Sequence, residues 1–364
     1  MSDVFVHGVG LLTALGAGVP ANWRALRQGK ELTDRGVIPT ASGEPTWDRV
    51  VMLAASAMDM ALHDANWPPE VYGAAETGLF VATSKGPVLT WLRALGTIRN
   101  SSAGALDENT ARHVALGPGL IAAALGDRFE LTGARHTSVA ACAGGLLAVH
   151  QAVAALRRGD CCRAIVVAAD ASADPFFENS FDNLGVLAHP DADGHRRCRP
   201  FDPRGAGFFI SEAAAAVVLS LAPPLSVAAD STATIERTWR GADATHLVAA
   251  DKAATALRRG LTQLSAGQPV AFVHAHATGT RFDGAEYKAI RTVCGTQAAV
   301  FSHKRWLGHS LGASGLVALV LSLACHRHRE TLAGGRLSDA GGVVRSITIA
   351  QGFGGAIAMV CCRG

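Results

Sequence analysis

Clusters of like charge are missing from this chain. Its lysines and arginines are scattered, the net charge is only +3, and with no basic run or stripe a nucleic-acid surface is excluded. No apolar run reaches the length of a bilayer crossing either. The longest nearly uncharged one, residues 311–325, is short and carries small residues on all sides, which marks a buried helix rather than a membrane span. The first residues, MSDVFVHGVGLLT, have neither a basic start nor a small-residue cleavage site. They read as a first strand and turn, and the cytoplasm is the expected compartment. Metal-ligand spacing is absent too: the eight cysteines fall as two adjacent pairs (Cys161 with Cys162, Cys361 with Cys362) and scattered singles, so reduced thiols and no bound metal are expected. The 40 glycines come without a short repeat and point to tight turns and close backbone packing. What is left is globular. With 49% hydrophobic and 17% charged residues, 364 residues can bury a large core in one large or two ordinary domains.

The most informative stretch is HTSVAACAGGLLAVHQAVAALRRGD, residues 136–160. A β-prone run meets Cys142, and small residues then open a long apolar helix, so the cysteine sits at a strand-to-helix turn. Free backbone N–H groups and the positive end of the helix dipole favour a thiolate there, while Ala143, Gly144 and Gly145 let a substrate approach. Taken alone, a free cysteine is more often a buried packing residue. The rest of the chain decides between the two.

Along the first half the pattern predicts a strand at 4–7, helices at 22–27, 49–65 and 117–125, and buried strands at 77–86 and 162–172, with 91–109 irregular. The second half rhymes with it. A strand is expected at 224–230, a helix at 253–264 and a buried strand in PVAFVHAHATGT. Residues 299–330 repeat the strand, turn and long apolar helix of the Cys142 stretch, and a final strand pair closes around a glycine turn. Two pseudo-equivalent halves follow, 1–221 carrying the cysteine and 222–364 carrying two motif histidines and the glycine-rich loop, in an α/β architecture with sheets between helix layers.

Five ordered segments, SVAACAGG with the later RRGD, RPFDPRGAGFFISEAA, HAHATGT, SHKRWLGHSLGASG and QGFGG, together resemble the β-ketoacyl synthase (ketosynthase) family over essentially the whole chain. The resemblance implies a thiolase-like fold, layered α-β-α-β-α, and an acyltransferase, a 3-oxoacyl-[acyl-carrier-protein] synthase. It implies that Cys142 takes an acyl group as a thioester, and that His276 and His309 assist decarboxylation of a malonyl thioester. Lys304 is the family lysine and Glu286 its acidic partner, expected as a buried ion pair. Phe353 gates the acyl pocket, and its N–H with that of Cys142 forms an oxyanion hole. An acyl carrier protein is the implied partner, and the chain is expected to form a homodimer, or a heterodimer with a chain-length subunit, through the strand near 165–169. Polyketide or fatty-acid-like specialised biosynthesis is the implied setting.

The chemistry is self-consistent. A cysteine thiolate makes and leaves a thioester readily, loss of carbon dioxide supplies an enolate at neutral pH, and two imidazole N–H groups suit the developing oxyanion. No cofactor is required. Histidines 274, 303, 326 and 328 are expected to be core or loop residues, and Arg199, Asp202 and Glu212 to hold a loop by charge-assisted hydrogen bonds. Gln351 stands where the family has an aromatic residue; it either bonds the neighbouring backbone or faces the acyl pocket. Other readings remain open: transfer to a different nucleophile, decarboxylation alone, a chain-length-determining partner subunit, or a Cys/His hydrolase.

Overall fold

The computed structural model describes residues 2–39, 47–100, 106–205, 207–224, 233–337 and 342–364. Strands β1 (Val4–Thr13), β2 (Gly16–Ala17), β3 (Thr77–Ala82), β4 (Arg135–Ser138), β5 (Arg163–Asp170) and β6 (Ala213–Ser220) belong to the first half. The second half contributes β7 (Thr234–Ala242), β8 (Phe272–His274), β9 (Ala299–Phe301), β10 (Arg345–Gln351) and β11 (Ala356–Arg363). Helices α1 (Val19–Arg27), α2 (Arg49–Asp64), α3 (Pro69–Tyr72), α4 (Val88–Asn100), α5 (Glu108–Leu116), α6 (Leu120–Arg128), α7 (Gly144–Arg158) and α8 (Pro175–Asn183) precede α9 (Thr255–Ser265), α10 (Asp283–Cys294), α11 (Lys304–Leu307) and α12 (Ser314–His328).

The two halves repeat one plan. Leaving β2 aside, the first runs β1-β6-β5-β3-β4 and the second β7-β11-β10-β8-β9, with two antiparallel and then two parallel pairings in each. Within the sheet, the two runs of named strands are joined among the described residues by β1 and β7, where Val4 pairs with Ile235 and Phe5 with Thr234. At that seam Asp3 forms an ion pair with Arg363, so the start of β1 and the end of β11 lie side by side.

Strands β3 and β6 bury every side chain and β5 all but its first, because both faces are covered. Alternate residues serve different layers. Leu79, Val81, Ile165 and Val167 pack with α2 and α6, whereas Phe80, Val166, Ala215 and Val217 pack with α7 and α12. On the far side Ile347, Ile349 and Met359 join Leu257, Leu261 and Ile290 of α9 and α10. Helices α7 and α12 are thus the middle layer of five. The apolar run at 311–325 is this buried α12; by length and composition alone Leu311–His328 could cross a membrane, but 89% of it is buried inside the protein.

Both middle helices start from the same turn. Ala141 (φ 45°) precedes α7 and Leu311 (φ 42°) precedes α12, each three residues before the first helical position and each in the left-handed region. That conformation costs a non-glycine residue about 1–2 kcal/mol, so the surrounding packing must impose it. Glycines permit the packing: a Cβ on Gly145 would stand 2.7 Å from Leu316 N, and one on Gly312 2.2 Å from Ser84 N.

Two expectations change. Residues 88–100 form a helix where an irregular segment was expected; Leu95 and Ile98 keep helical spacing but stay exposed, which weakens the burial signal. The strand at 165–169 cannot pair with a second subunit, because β5 is bonded on both edges, to β3 and to β6. The free edges of the sheet among the described residues are β4 and β9. The strand expected at 224–230 lies almost wholly outside the described residues.

Gly145→Ala should lower the unfolding free energy by about 1–3 kcal/mol, the usual range for overpacking against a neighbour that cannot move. Gly96→Ala in α4, where nothing lies within 4 Å of the added methyl, should leave stability unchanged or raise it by up to about 1 kcal/mol. Urea unfolding of the two variants beside the wild type checks both.

Candidate active site

A solvent-open cavity of about 870 Å³ is lined by Cys142, His276, His309, Gln351 and Phe353. Cys142 lies between β4 and α7 on the turn set by Ala141, and is 8% exposed. His309 lies on the other repeat of that turn, just past α11. Its N–H donates to Phe209 O (2.9 Å) and its carbonyl accepts from Ser211 N (3.1 Å), so the FFIS stretch holds it like a strand neighbour. Gly308 (φ 69°) is required beside it, since a Cβ would fall 2.3 Å from the Phe209 ring. The result is His309 Nε2 at 3.1 Å from Cys142 Sγ, with the His276 ring edge-on to His309 at 5.5 Å between centroids.

Lys304 and Glu286 are both buried, yet no ion pair joins them among the described residues. They hold one peptide segment from opposite sides. Glu286 accepts the N–H groups of His276 and Ala277, each at 2.8 Å, and Lys304 Nζ donates to His276 O. The expected buried pair is therefore replaced by a clasp on the His276 backbone, where each charged group gains a hydrogen bond without the two needing to touch. Burial and the neighbouring Asp283 push the Glu286 carboxyl up to about 7, while burial lowers the Lys304 ammonium.

The glycine-rich loop reaches the cysteine because Gly352 has no side chain; a Cβ there would stand 2.8 Å from Ala140 O. The N–H groups of Cys142 and Phe353 have no partner among the described residues and are free to bind an oxyanion. Phe353 packs against Phe181, 6.2 Å away. Gln351 is half-buried, lines the cavity and makes no side-chain hydrogen bond to the protein among the described residues, which favours the pocket-facing alternative.

Burial decides the resting charge state. It pushes the Cys142 thiol up to about 11 against the opposing charges of Lys304 and Lys85, and it drives His276 and His309 well below the usual imidazole range. Burial thus opposes the thiolate that the helix end favours, and favours a thiol beside a neutral imidazole. His309 Nδ1 is buried without a partner among the described residues, so none of their carboxylates fixes the ring's tautomer.

Two parts of the site escaped the sequence reading. Asp170, at the end of β5, accepts from Ser84 Oγ and N, Ser172 Oγ (2.5 Å) and Gly312 N (3.2 Å), pinning the α12 turn to β3's loop. An acid closing an all-buried apolar strand was the available signal. Asp243 and residues 246–251 also line the cavity, with Leu247 O accepting Gly354 N at 2.6 Å; their mixed composition carried no signal. Elsewhere Glu212 pairs with Arg49 at 2.6 Å, Arg199 with Asp191 at 2.6 Å and Asp202 with Arg204 at 3.1 Å, as structural ties. His326 bonds Ser346 Oγ and His328 stacks on Trp23.

Five histidines held neutral by burial give a pH signature: His274 down at about 3, His326 at about 4, and His276, His303 and His309 well below normal. Below pH about 6.5 the unfolded chain protonates them and the native state does not, so each removes about 1.4 kcal/mol of stability per further pH unit. The melting temperature should fall gently from pH 7.5 to 6.5 and about three times as steeply from 6.5 to 5.5. A flat profile by calorimetry would contradict the buried neutral set.

The family model for the Beta-ketoacyl synthase N-terminal domain matches residues 40–223, and that for its C-terminal domain residues 236–333. The Rhizobium meliloti 3-oxoacyl-[acyl-carrier-protein] synthase 2 is 27% identical over 88% of this chain and 86% of its own length. A Schizosaccharomyces pombe protein named as a mitochondrial 3-oxoacyl-[acyl-carrier-protein] synthase is 28% identical over 89% and 86%. The non-reducing polyketide synthase pkiA of Emericella nidulans is 33% identical to 49% of this chain, a match spanning 8% of that protein. Among solved structures, a Beta-ketoacyl synthase from Burkholderia phymatum superposes with a TM-score of 0.85 at 22% identity, covering 100% of this chain and 99% of that one. The shared fold is thiolase-like. With both domain models matched in order across most of its length, the chain belongs to the beta-ketoacyl synthase family.

Proposed function

We propose that the chain is a 3-oxoacyl-[acyl-carrier-protein] synthase that joins an acyl group held on Cys142 to a malonyl-carrier-protein extender. The observation that carries this is the 3.1 Å contact between Cys142 Sγ and His309 Nε2 in a cavity that His276 also lines. In the first half-reaction Sγ attacks the incoming thioester carbonyl and its proton passes to His309 Nε2, then to the departing thiol. Because both groups rest neutral, this transfer coincides with attack rather than preceding it. The free N–H groups of Cys142 and Phe353 receive the tetrahedral oxygen.

In the second half-reaction the bond from the malonyl α-carbon to its carboxylate breaks, and the electron pair enters an enolate. Neutral His276 and His309 donate N–H to its oxygen, His309 in the tautomer protonated at Nε2, so a charged imidazolium is not needed. The carboxylate departs as carbon dioxide, the α-carbon attacks the Cys142 thioester carbonyl, and the Cys142 thiolate leaves and takes one proton from solvent. Lys304 and Glu286 act on His276 through its backbone and are proposed as positioning residues. A Streptomyces cyaneus relative named as a polyketide beta-ketoacyl synthase and the fungal relative named as a polyketide synthase support specialised biosynthesis as the setting. One structural neighbour is a carrier protein with its ketosynthase and another a ketosynthase with a chain length factor, which supports a carrier protein and a ketosynthase-like second subunit as partners. The cytoplasm is the proposed compartment on the sequence reading, while the fission-yeast relative is named mitochondrial.

Intact-mass analysis after incubation with acyl thioesters should find one adduct on the wild type and none on Cys142→Ala. His276→Ala should load acyl normally but decarboxylate malonyl carrier protein about a hundredfold or more slowly, the scale for losing one oxyanion donor. Normal decarboxylation with failed loading would reverse the assignment.

For the pocket-facing Gln351, the preferred acyl group carries oxygen, unsaturation or a ring. Competition loading of saturated against oxygenated acyl thioesters should shift toward the saturated one in Gln351→Phe. An unchanged ratio would remove Gln351 from the acyl pocket.

A further inference from the structure

Behind the cavity lies a polar cluster that the reaction above leaves idle. His274, the last residue of β8, and His303, just before α11, are both 0% exposed, with rings edge-on at 5.1 Å. His274 Nε2 lies 3.0 Å from His303 Nδ1 and 3.2 Å from the His303 backbone N–H. A backbone N–H can only donate, so Nε2 of His274 is its lone-pair nitrogen and the proton sits on Nδ1. That Nδ1 donates to Ser322 Oγ at 3.0 Å, and the hydroxyl in turn donates to Ala318 O at 2.8 Å while accepting from Thr348 Oγ1 at 3.0 Å. His303 Nδ1 then donates to His274, leaving its Nε2 to face Ser314 Oγ at 3.5 Å. With one tautomer of each ring every contact joins a donor to an acceptor, the single lone pair of His274 Nε2 being shared by the ring and backbone N–H groups of His303. A phenylalanine would fill either place without burying polar atoms, so filling volume does not account for the pair.

The location does. The bonded N–H of His303 belongs to the turn that delivers Lys304, whose Nζ holds His276 O, while Ser302 Oγ donates to Ala277 O at 2.9 Å. His274 precedes His276 by two residues on the same extended segment. The 302–304 turn is therefore tied to this segment twice: at the core end through His274 Nε2, and at the cavity end through Lys304 and Ser302.

We propose that the His274–His303 pair is a positioning clamp for the decarboxylating half-reaction, keeping Lys304 and the His276 backbone in register through an acceptor at the place of His274 Nε2. It rests on the functional reading above. Acyl loading, which uses Cys142 and His309, does not depend on it.

Two substitutions test the acceptor. His274→Gln brings an amide oxygen to the place of Nε2, and His274→Phe fills the volume without one. His274→Phe should decarboxylate malonyl carrier protein about tenfold or more slowly while loading acyl within about threefold of wild type; His274→Gln should stay within about threefold in both. Equal losses in the two half-reactions, or a glutamine variant as slow as the phenylalanine one, would overturn the clamp. Should His274→Phe not fold, His303→Val keeps the backbone donor but drops the ring donor. It should slow decarboxylation alone by about three- to tenfold, and wild-type behaviour would count against the pair. Nitrogen-15 spectra of the wild type give an arm independent of activity: His274 Nε2 should be unprotonated at pH 6. A protonated Nε2 sinks the clamp and leaves the functional reading standing. A wild type that loads acyl but never decarboxylates malonyl sinks the functional reading, and the tautomer still judges the pair.

Discussion

The close approach of two backbone turns, one before α7 and one before α12, is the constraint on which the site depends. Ala141 and Leu311 hold the same left-handed conformation in the two halves, and Gly145, Gly312 and Gly352 remove the side chains that would keep the turns and the closing loop apart. Only then does a thiol from the first half meet an imidazole from the second. The strain at two non-glycine residues is of order 1–2 kcal/mol each and persists because buried helices on either side leave no room to relax. Asp170 adds to this by bonding the Gly312 N–H from the neighbouring strand.

Dryness is the second theme. Thiol, imidazoles, carboxyl and ammonium are all shifted in the direction that disfavours charge, with burial as the largest cause in each. Where burial opposes charge in this way, fixed N–H donors aimed at a thioester or enolate oxygen are worth more than they would be in water. The same dryness explains why Lys304 and Glu286 spend their hydrogen bonds on one peptide segment. Each is satisfied, and the segment that carries His276 gains two anchors.

Much of this was legible in the residues. Continuous apolar strands announced a sheet covered on both faces, and the small-residue turn before each long apolar helix announced the repeat; both depend on local pattern. The cysteine and both motif histidines stood in signatures that converge on one cavity. What failed depended on neighbours distant in sequence. That β5 lies between β3 and β6 follows from strand order, which no local run encodes. The charge state of Cys142 follows from how much water the closing loop and the second half exclude, and a helix end read in isolation gives the opposite sign. Lys304 and Glu286 were correctly brought to one place, but whether two charges touch or share a peptide is a matter of an ångström or two, beyond what spacing conveys.

The seam where Val4 and Phe5 meet Ile235 and Thr234 also brings the start of β1 beside the end of β11, with Asp3 against Arg363. An opening of that corner would part the two runs of strands while leaving the order within each run intact.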